Sequence, residues 1–230
     1  MNATQVAHTK TLQTEDRIRS NSSLLTEQMR WLETLPVDFQ TILDVGCGAG
    51  FHAKWFHGRG HKVTATDWST DAFLFADEIE AVASDILQYL PTKEYDAIVC
   101  SHVLEHFADP GTLMRKLRSL LKPGGYLFLV VPGYTPLSCN GHWHTGWNIT
   151  QLGGWLVSMG FDCREGTFAH LGINVCGFGR KSDEVPSDAH FDLPRILRFM
   201  PAPFKKAEFF QGTDHLLRAD LTWVDADMCE

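Results

Sequence analysis

Two short stretches of the sequence concentrate side chains that can do chemistry. One is "SHVLEHFAD", with His102, Glu105 and His106; the other is "GHWHTGW", which sets His142, Trp143, His144 and Trp147 within seven residues. Histidine titrates near neutral pH, so a proton-accepting role is assigned to His142, His144 and His106. Trp143 and Trp147 offer apolar faces and read as walls of an acceptor pocket. The plainer alternative is that the tryptophans pin a long loop to the core while the histidines are solvated. A metal is a third use for such residues, since His142 and His144 with Cys139 or Glu105 carry ligand atoms. The sequence has neither an acidic cluster of the kind magnesium takes nor the paired cysteines of a zinc site, and no metal ligand set is assigned.

A second constellation is the loop "DVGCGAG", with Asp44, Gly46, Gly48 and Gly50 following the β-branched run "TILDVG". Glycines at the end of a strand let the backbone turn sharply and approach a ligand, while the next helix offers unpaired N–H groups at its start. A dinucleotide fingerprint would carry its third glycine at position 51, which is Phe51 here. The spacing therefore disfavours a nicotinamide cofactor. Two further carboxylates close strand-like runs: Asp67 in "KVTATD" and Asp85 in "ASD".

The elements that must position these residues alternate between strand and helix. A leading helix is expected over 15–35, where Ile18, Leu24, Leu25, Met29 and Leu32 recur at helical spacing before Pro36. Strand, helix and strand follow in "TILDVG", "FHAKWFHGRG" and "KVTATD". Then come a short helix at Asp71–Ala76, a strand at Ile79–Ser84, the strand "YDAIVCS", the helix "GTLMRKLRSLLK" and the strand "YLFLVVP". Such alternation predicts an α/β fold with a parallel sheet and helices on both faces. "NITQLGGWLVSMGF" reads as a helix capped by Asn148 or Thr150. After it, "GFDCREGTFAH" and "INVCGFGRK" are separated by too few residues for a crossover, so the sheet should end in an antiparallel hairpin.

The ordered segments "ILDVGCGAG", "VTATDWS", "ASDIL", "YDAIVCSHVLEH" and "LKPGGYLFLVVP" resemble the class I S-adenosylmethionine-dependent methyltransferases of small-molecule type, over Val37 to Lys181. The resemblance implies a Rossmann-like seven-stranded sheet, five strands parallel before an antiparallel hairpin, and S-adenosyl-L-methionine as cofactor. It implies that the methionine moiety lies beside Asp44, Gly46, Cys47 and Gly48, with backbone contacts around Ala49 and Gly50. Asp67 would accept from the ribose hydroxyls and Trp68 would lie on the adenine. Asp85 would take the adenine amino group, Ile86 would cover the ring, and Ser101 and His102 would border the sulfonium. The histidine-rich stretch follows the fifth strand, where this superfamily builds substrate walls.

Composition narrows the partners. The 230 residues carry a formal charge of −8 with a pI near 5.7, which argues against a chain that lives by neutralising phosphates. No apolar run reaches membrane-spanning length, the first residues lack the build of a signal peptide, and the six cysteines form no C-x-x-C pair. A cytoplasmic chain that binds a small molecule, and neither nucleic acid nor membrane, is expected. Three segments are anticipated: a helical lead at 1–36, the cofactor-binding core at 37–181, and an extension at 182–230 that caps the cleft or makes a homodimer contact. The expected reaction is O-methylation of a hydroxyl-bearing natural product, sugar or phenol with a histidine base. The rivals are N-methylation by positioning alone, an NAD(P)-dependent oxidoreductase, and a non-catalytic cofactor-binding interaction protein.

Overall fold

Parallel pairing in the first part of the chain follows from three short runs rich in β-branched and small residues. Thr41–Val45 (β1) is buried from Ile42 onward and pairs in parallel with Lys62–Asp67 (β2), Ile42 opposite Val63 and Asp44 opposite Ala65. Glu80–Ala83 (β3) pairs in parallel with β2, Asp67 opposite Ala83. The computed structural model describes residues 28–29, 31–32, 38–133, 142–185 and 193–202. Of the expected leading helix, residues 28, 29, 31 and 32 are helical, with Gln28, Trp31 and Leu32 buried; the remainder of 15–35 lies outside the described residues.

The chain divides into two compact units, Met1–Leu90 and Pro91–Glu230. In the first, β1 leads through the glycine loop into Phe51–His57 (α1), which buries Ala53 and Phe56. Cys47, Ala53, Ala65, Phe73 and Ile79 form a cluster beneath the loop. The short helix expected at Asp71–Ala76 is a set of turns instead. The Leu74 N–H donates to the Ala49 carbonyl, while Phe73 turns inward against Gly50. Those tertiary contacts replace the hydrogen bonds a helix would have made.

In the second unit, Tyr95–Ser101 (β4) pairs in parallel with Leu121–Pro132 (β5), and a single 3-10 turn, Leu104–His106, follows β4. Pro110–Leu120 (α2) starts on an Asp109 cap whose carboxylate accepts the Gly111 N–H at 3.0 Å, with proline at the first helical position where it costs no hydrogen bond. Ile149–Ser158 (α3) is capped by Asn148, which accepts the Gln151 N–H at 2.8 Å.

The closing hairpin is present, but its first arm is broken. Phe161–Asp162 (β6) and Phe168–Leu171 (β7) both pair antiparallel with Asn174–Lys181 (β8), which itself runs antiparallel to β5. Six positions separate Asp162 from Phe168 on one arm, against three between their partners Arg180 and Gly177, so Cys163–Thr167 loops out of the ladder. The arms join across Gly172, at φ 58, and Ile173, the arrangement a two-residue hairpin turn with glycine first requires. The break raises the strand count to eight among the described residues while keeping the mixed α/β plan. Leu193–Arg198 (α4) packs on α3, and buried Met200 sits against Gly153. The rest of the C-terminal extension lies outside the described residues.

Gly50 shows how tightly the first unit specifies one of its residues. Its φ is 87°, and a Cβ there would lie 2.4 Å from the Phe73 ring. Gly50→Ala should therefore combine left-handed strain with overpacking and lower stability by about 2–4 kcal/mol. A denaturant midpoint unchanged from that of the parent chain would contradict this.

Candidate active site

The glycine loop is held from below by β2. Gly46 and Cys47 both donate their backbone N–H to the Thr66 carbonyl, at 2.8 and 3.1 Å, and Gly48 donates to Asp67 Oδ2 at 2.9 Å. Asp67 Oδ1 accepts the Trp68 N–H at 2.7 Å. Gly46, Gly48 and Gly50 all have positive φ, 72°, 49° and 87°. They differ in what lies above them: a Cβ on Gly50 would meet Phe73, whereas a Cβ on Gly48 would meet nothing within 4 Å. Among the described residues, Gly48 thus has open space above its backbone. Trp68, 46 % exposed, offers an uncovered aromatic face next to Asp67 along the chain.

Asp44 lies one layer deeper. Its carboxylate is 1 % exposed and accepts the Ala53 N–H at 3.1 Å, at the start of α1. Burial pushes its pKa up to about 7, with a smaller upward push from the Asp67 charge and an opposing pull from the Ala53 N–H. Burial together with the Asp44 and Asp67 charges pushes the Cys47 thiol well above the usual range. Cys47 is therefore a protonated, structural thiol. Asp85 ends its run in a turn, Oδ1 accepting the Leu87 N–H at 2.9 Å; Ile86 is buried and Leu87 is exposed.

In the second unit, the chain leaves β4 at Ser101 and enters His102 with φ 55°, the one non-glycine residue of positive φ among the described residues. Its backbone N–H donates to Val130 at 2.9 Å, so the unusual conformation is anchored to β5. His102 Nδ1 lies 3.2 Å from Glu105 Oε1, one turn later. Glu105 is fully buried, and its Oε2 has no hydrogen-bond partner among the described residues. The Glu105 carbonyl accepts the backbone N–H groups of Trp143, at 2.8 Å, and His144, at 3.3 Å. One residue thus ties the end of β4 to the histidine-rich stretch.

That stretch separates its members. His142 faces His106 with ring centroids 4.8 Å apart and planes at 78°. His144 Nε2 is 3.3 Å from the Ala108 carbonyl. Trp143 is 72 % exposed, whereas Trp147 is 2 % exposed and its backbone N–H donates to Pro132 at the end of β5. Trp147 thus fastens the segment to the core, and Trp143 alone of the two presents an open face. Cys139 lies outside the described residues. Residue types singled out Glu105 as a chemistry-bearing side chain but not as the buried partner of His102. Its signal is the His102-x-x-Glu105 spacing, which one helical turn converts into a contact.

Residues 14–165 match the methyltransferase domain family, and the chain belongs to that family. These are class I enzymes that use S-adenosylmethionine, and the glycine loop with its open Gly48 fits the group they bind. Among curated relatives, the ubiquinone biosynthesis O-methyltransferase of Paraburkholderia phytofirmans is 30% identical over 112 residues, 44% of this chain and 48% of that one. The Burkholderia orbicola protein of the same name is 34% identical over 96 residues, 37% of this chain and 41% of that one. The chain spans just under half the length of these relatives. The N-methyltransferase NodS of Bradyrhizobium japonicum WM9, solved with S-adenosylhomocysteine, shares the fold at 19% identity and a TM-score of 0.62, covering 78% of this chain and 99% of NodS. The Burkholderia thailandensis 1,6-didemethyltoxoflavin-N1-methyltransferase does so at 17% identity and 0.61, covering 79% and 88%. Among the described residues no helix is long and apolar enough to cross a membrane.

The raised pKa of Asp44 has a consequence for stability. The folded state holds a proton that the unfolded chain has already lost between about pH 4 and 7, so this contribution is full below about pH 4 and is lost as pH rises to 7. Asp44→Asn keeps an acceptor for the Ala53 N–H and removes the titration. Urea unfolding across this window should show the parent chain losing stability relative to the variant, with a slope approaching about 1.4 kcal/mol per pH unit. Parallel curves would rule it out.

Proposed function

We propose that the chain transfers the methyl group of S-adenosylmethionine to a hydroxyl oxygen of a small acceptor, a phenol or quinone-like ring, with His102 taking the proton. The observation that carries this reading is the His102–Glu105 pair at the carboxyl end of β4. A carboxylate only accepts hydrogen bonds, so in this reading Nδ1 carries the proton of the 3.2 Å contact and Nε2 keeps its lone pair. Glu105 then does for His102 what a buried carboxylate does in a hydrolytic triad: it holds the ring and its tautomer. The relatives with 30% and 34% identity, both named O-methyltransferases of ubiquinone biosynthesis, support oxygen as the methylated atom.

The cofactor supplies a methyl carbon activated by positive sulfur; the acceptor oxygen forms its bond to that carbon as the carbon–sulfur bond breaks and its electron pair goes to sulfur. The chain's own part is binding, alignment and removal of a proton. Gly46 and Gly48 give backbone access while Gly50 seats the loop against Phe73, and Asp67, with Trp68 beside it, receives the nucleoside. Asp44 faces the amino-acid end, Cys47 shapes the loop from within, and Asp85 with Ile86 meets the base. Ser101 borders the reacting centre. The exposed Trp143 offers the acceptor an apolar face. His144, with one ring nitrogen near the Ala108 carbonyl, holds the loop in this reading, and the base passes from the His142–His144 stretch to His102. Among the described residues Cys47 and Cys163 are buried free thiols, which suits a reducing, cytoplasmic setting.

Two substitutions separate the roles. Asp67→Ala should weaken S-adenosylhomocysteine binding by about 2–4 kcal/mol through loss of charge-assisted hydrogen bonds, read by calorimetric titration. His102→Gln should leave that affinity within a few-fold of the parent and lower kcat by about 10² to 10⁴. Near-normal turnover of His102→Gln on a phenolic acceptor would remove the base, and methylation confined to amine acceptors would replace O- by N-methylation.

A further inference from the structure

We infer that Glu105, His106 and His142 form a site for a divalent first-row transition ion, with the Glu105 carboxylate shared between that ion and His102. One ligand atom from each of the three residues lies within 4.8 Å of the other two. Neighbouring ligands of a tetrahedral ion at about 2.1 Å stand about 3.4 Å apart, so closing on an ion narrows the widest separation by up to about 1.4 Å, a shift of about 0.7 Å for each partner.

The decisive observation is Glu105 Oε2. It belongs to a fully buried side chain, it has no hydrogen-bond partner among the described residues, and the other oxygen of the same carboxylate already faces His102. A carboxylate oxygen left bare in the interior is costly, and a cation is the partner that removes most of that cost. The ligand set selects the ion. Two imidazoles and one carboxylate suit zinc, iron, cobalt or nickel, whereas magnesium and calcium require oxygen donors. Three protein ligands leave coordination positions open, as in catalytic rather than structural zinc sites. His106 and His142 are half-buried, which gives an ion a path from solvent.

The surroundings are those of a supported site. The Glu105 carbonyl accepts the Trp143 and His144 N–H groups and so fixes the segment that carries His142. His102 lies on the second oxygen of the ligating carboxylate, the place of an outer-shell partner. Where the proposed methyl transfer holds, a bound ion would lock Glu105 and through it the orientation of the His102 ring; the site itself does not rest on that reading. Sequence spacing hides it, because His142 is 36 positions from His106 and only the folded loop brings them together.

The test is a zinc titration of the full chain after chelator treatment, in the absence of cofactor and acceptor, followed by cobalt(II) with its visible absorption as a spectroscopic readout. The expected result is one saturable equivalent of zinc, with affinity lowered about 100-fold or more in His106→Ala and in His142→Ala, and loss of the cobalt band in both. His57→Ala, at a half-buried histidine of the first unit, should leave binding unchanged. Glu105→Gln tests the buried ligand; should that variant fail to fold, the half-buried His142 carries the decision. Absence of a stoichiometric site, or an affinity in His106→Ala and His142→Ala unchanged from that of the parent chain, overturns the proposal. Neither result touches the methyl-transfer reading, which fails only if a folded, cofactor-binding chain turns over no hydroxyl acceptor.

Discussion

The buried carboxylate of Glu105 is the constraint around which the second unit's chemistry is arranged. A charged group withdrawn from water costs several kcal/mol unless its lone pairs are met, so its neighbours are not interchangeable. Its side chain faces His102 from one oxygen, and its backbone carbonyl collects two N–H groups from the segment that holds His142 and His144. The left-handed backbone at His102 belongs to the same arrangement: a residue at φ 55° survives where its hydrogen bond to Val130 and its ring contact to Glu105 hold it. A buried acid, a strained histidine and an anchored loop are therefore three aspects of one packing solution.

The first unit solves a different problem, exposing backbone to a ligand without unfolding the turn that presents it. Three glycines of positive φ divide this task. Gly50 is glycine because the core beneath has no room for a Cβ, and Gly48 is glycine although the space above it is open. The first serves packing, and in the proposed reading the second serves access. Beneath them Asp44 is almost wholly withdrawn from solvent, and its raised pKa couples the protonation of the loop to folding.

Much of the architecture was legible because hydrophobic periodicity and turn chemistry are local. The runs "TILDV", "KVTATD" and "YDAIVCS" became β1, β2 and β4, Asn148 proved to cap α3, and the short span between the last strand-like runs correctly required antiparallel pairing. The misreadings came where tertiary contacts overrode local preference. Residues 71–76 have a helix-compatible composition, yet Phe73 is drawn under Gly50 and Leu74 gives its N–H to Ala49, so turns form. Likewise the break at Cys163–Thr167 depends on a register that no property of those residues announces.

The sequence by itself determined the family, because the order and spacing of "DVGCGAG", "TATD" and the following strand ends are covalent facts that survive any packing. It also determined which residues could act on a proton: histidines in two stretches, with a carboxylate among them. Only the tertiary structure decided how they combine. Trp143 and Trp147 stand four positions apart, yet one is 72 % and the other 2 % exposed, because the bridge from Gly133 to Trp147 pulls just the second against the sheet. His106 and His142 meet although 36 positions separate them, and His144 turns instead toward Ala108. Burial and contact are properties of the folded chain as a whole. Residue type sets what a side chain is able to do, and its surroundings set which of those things it does.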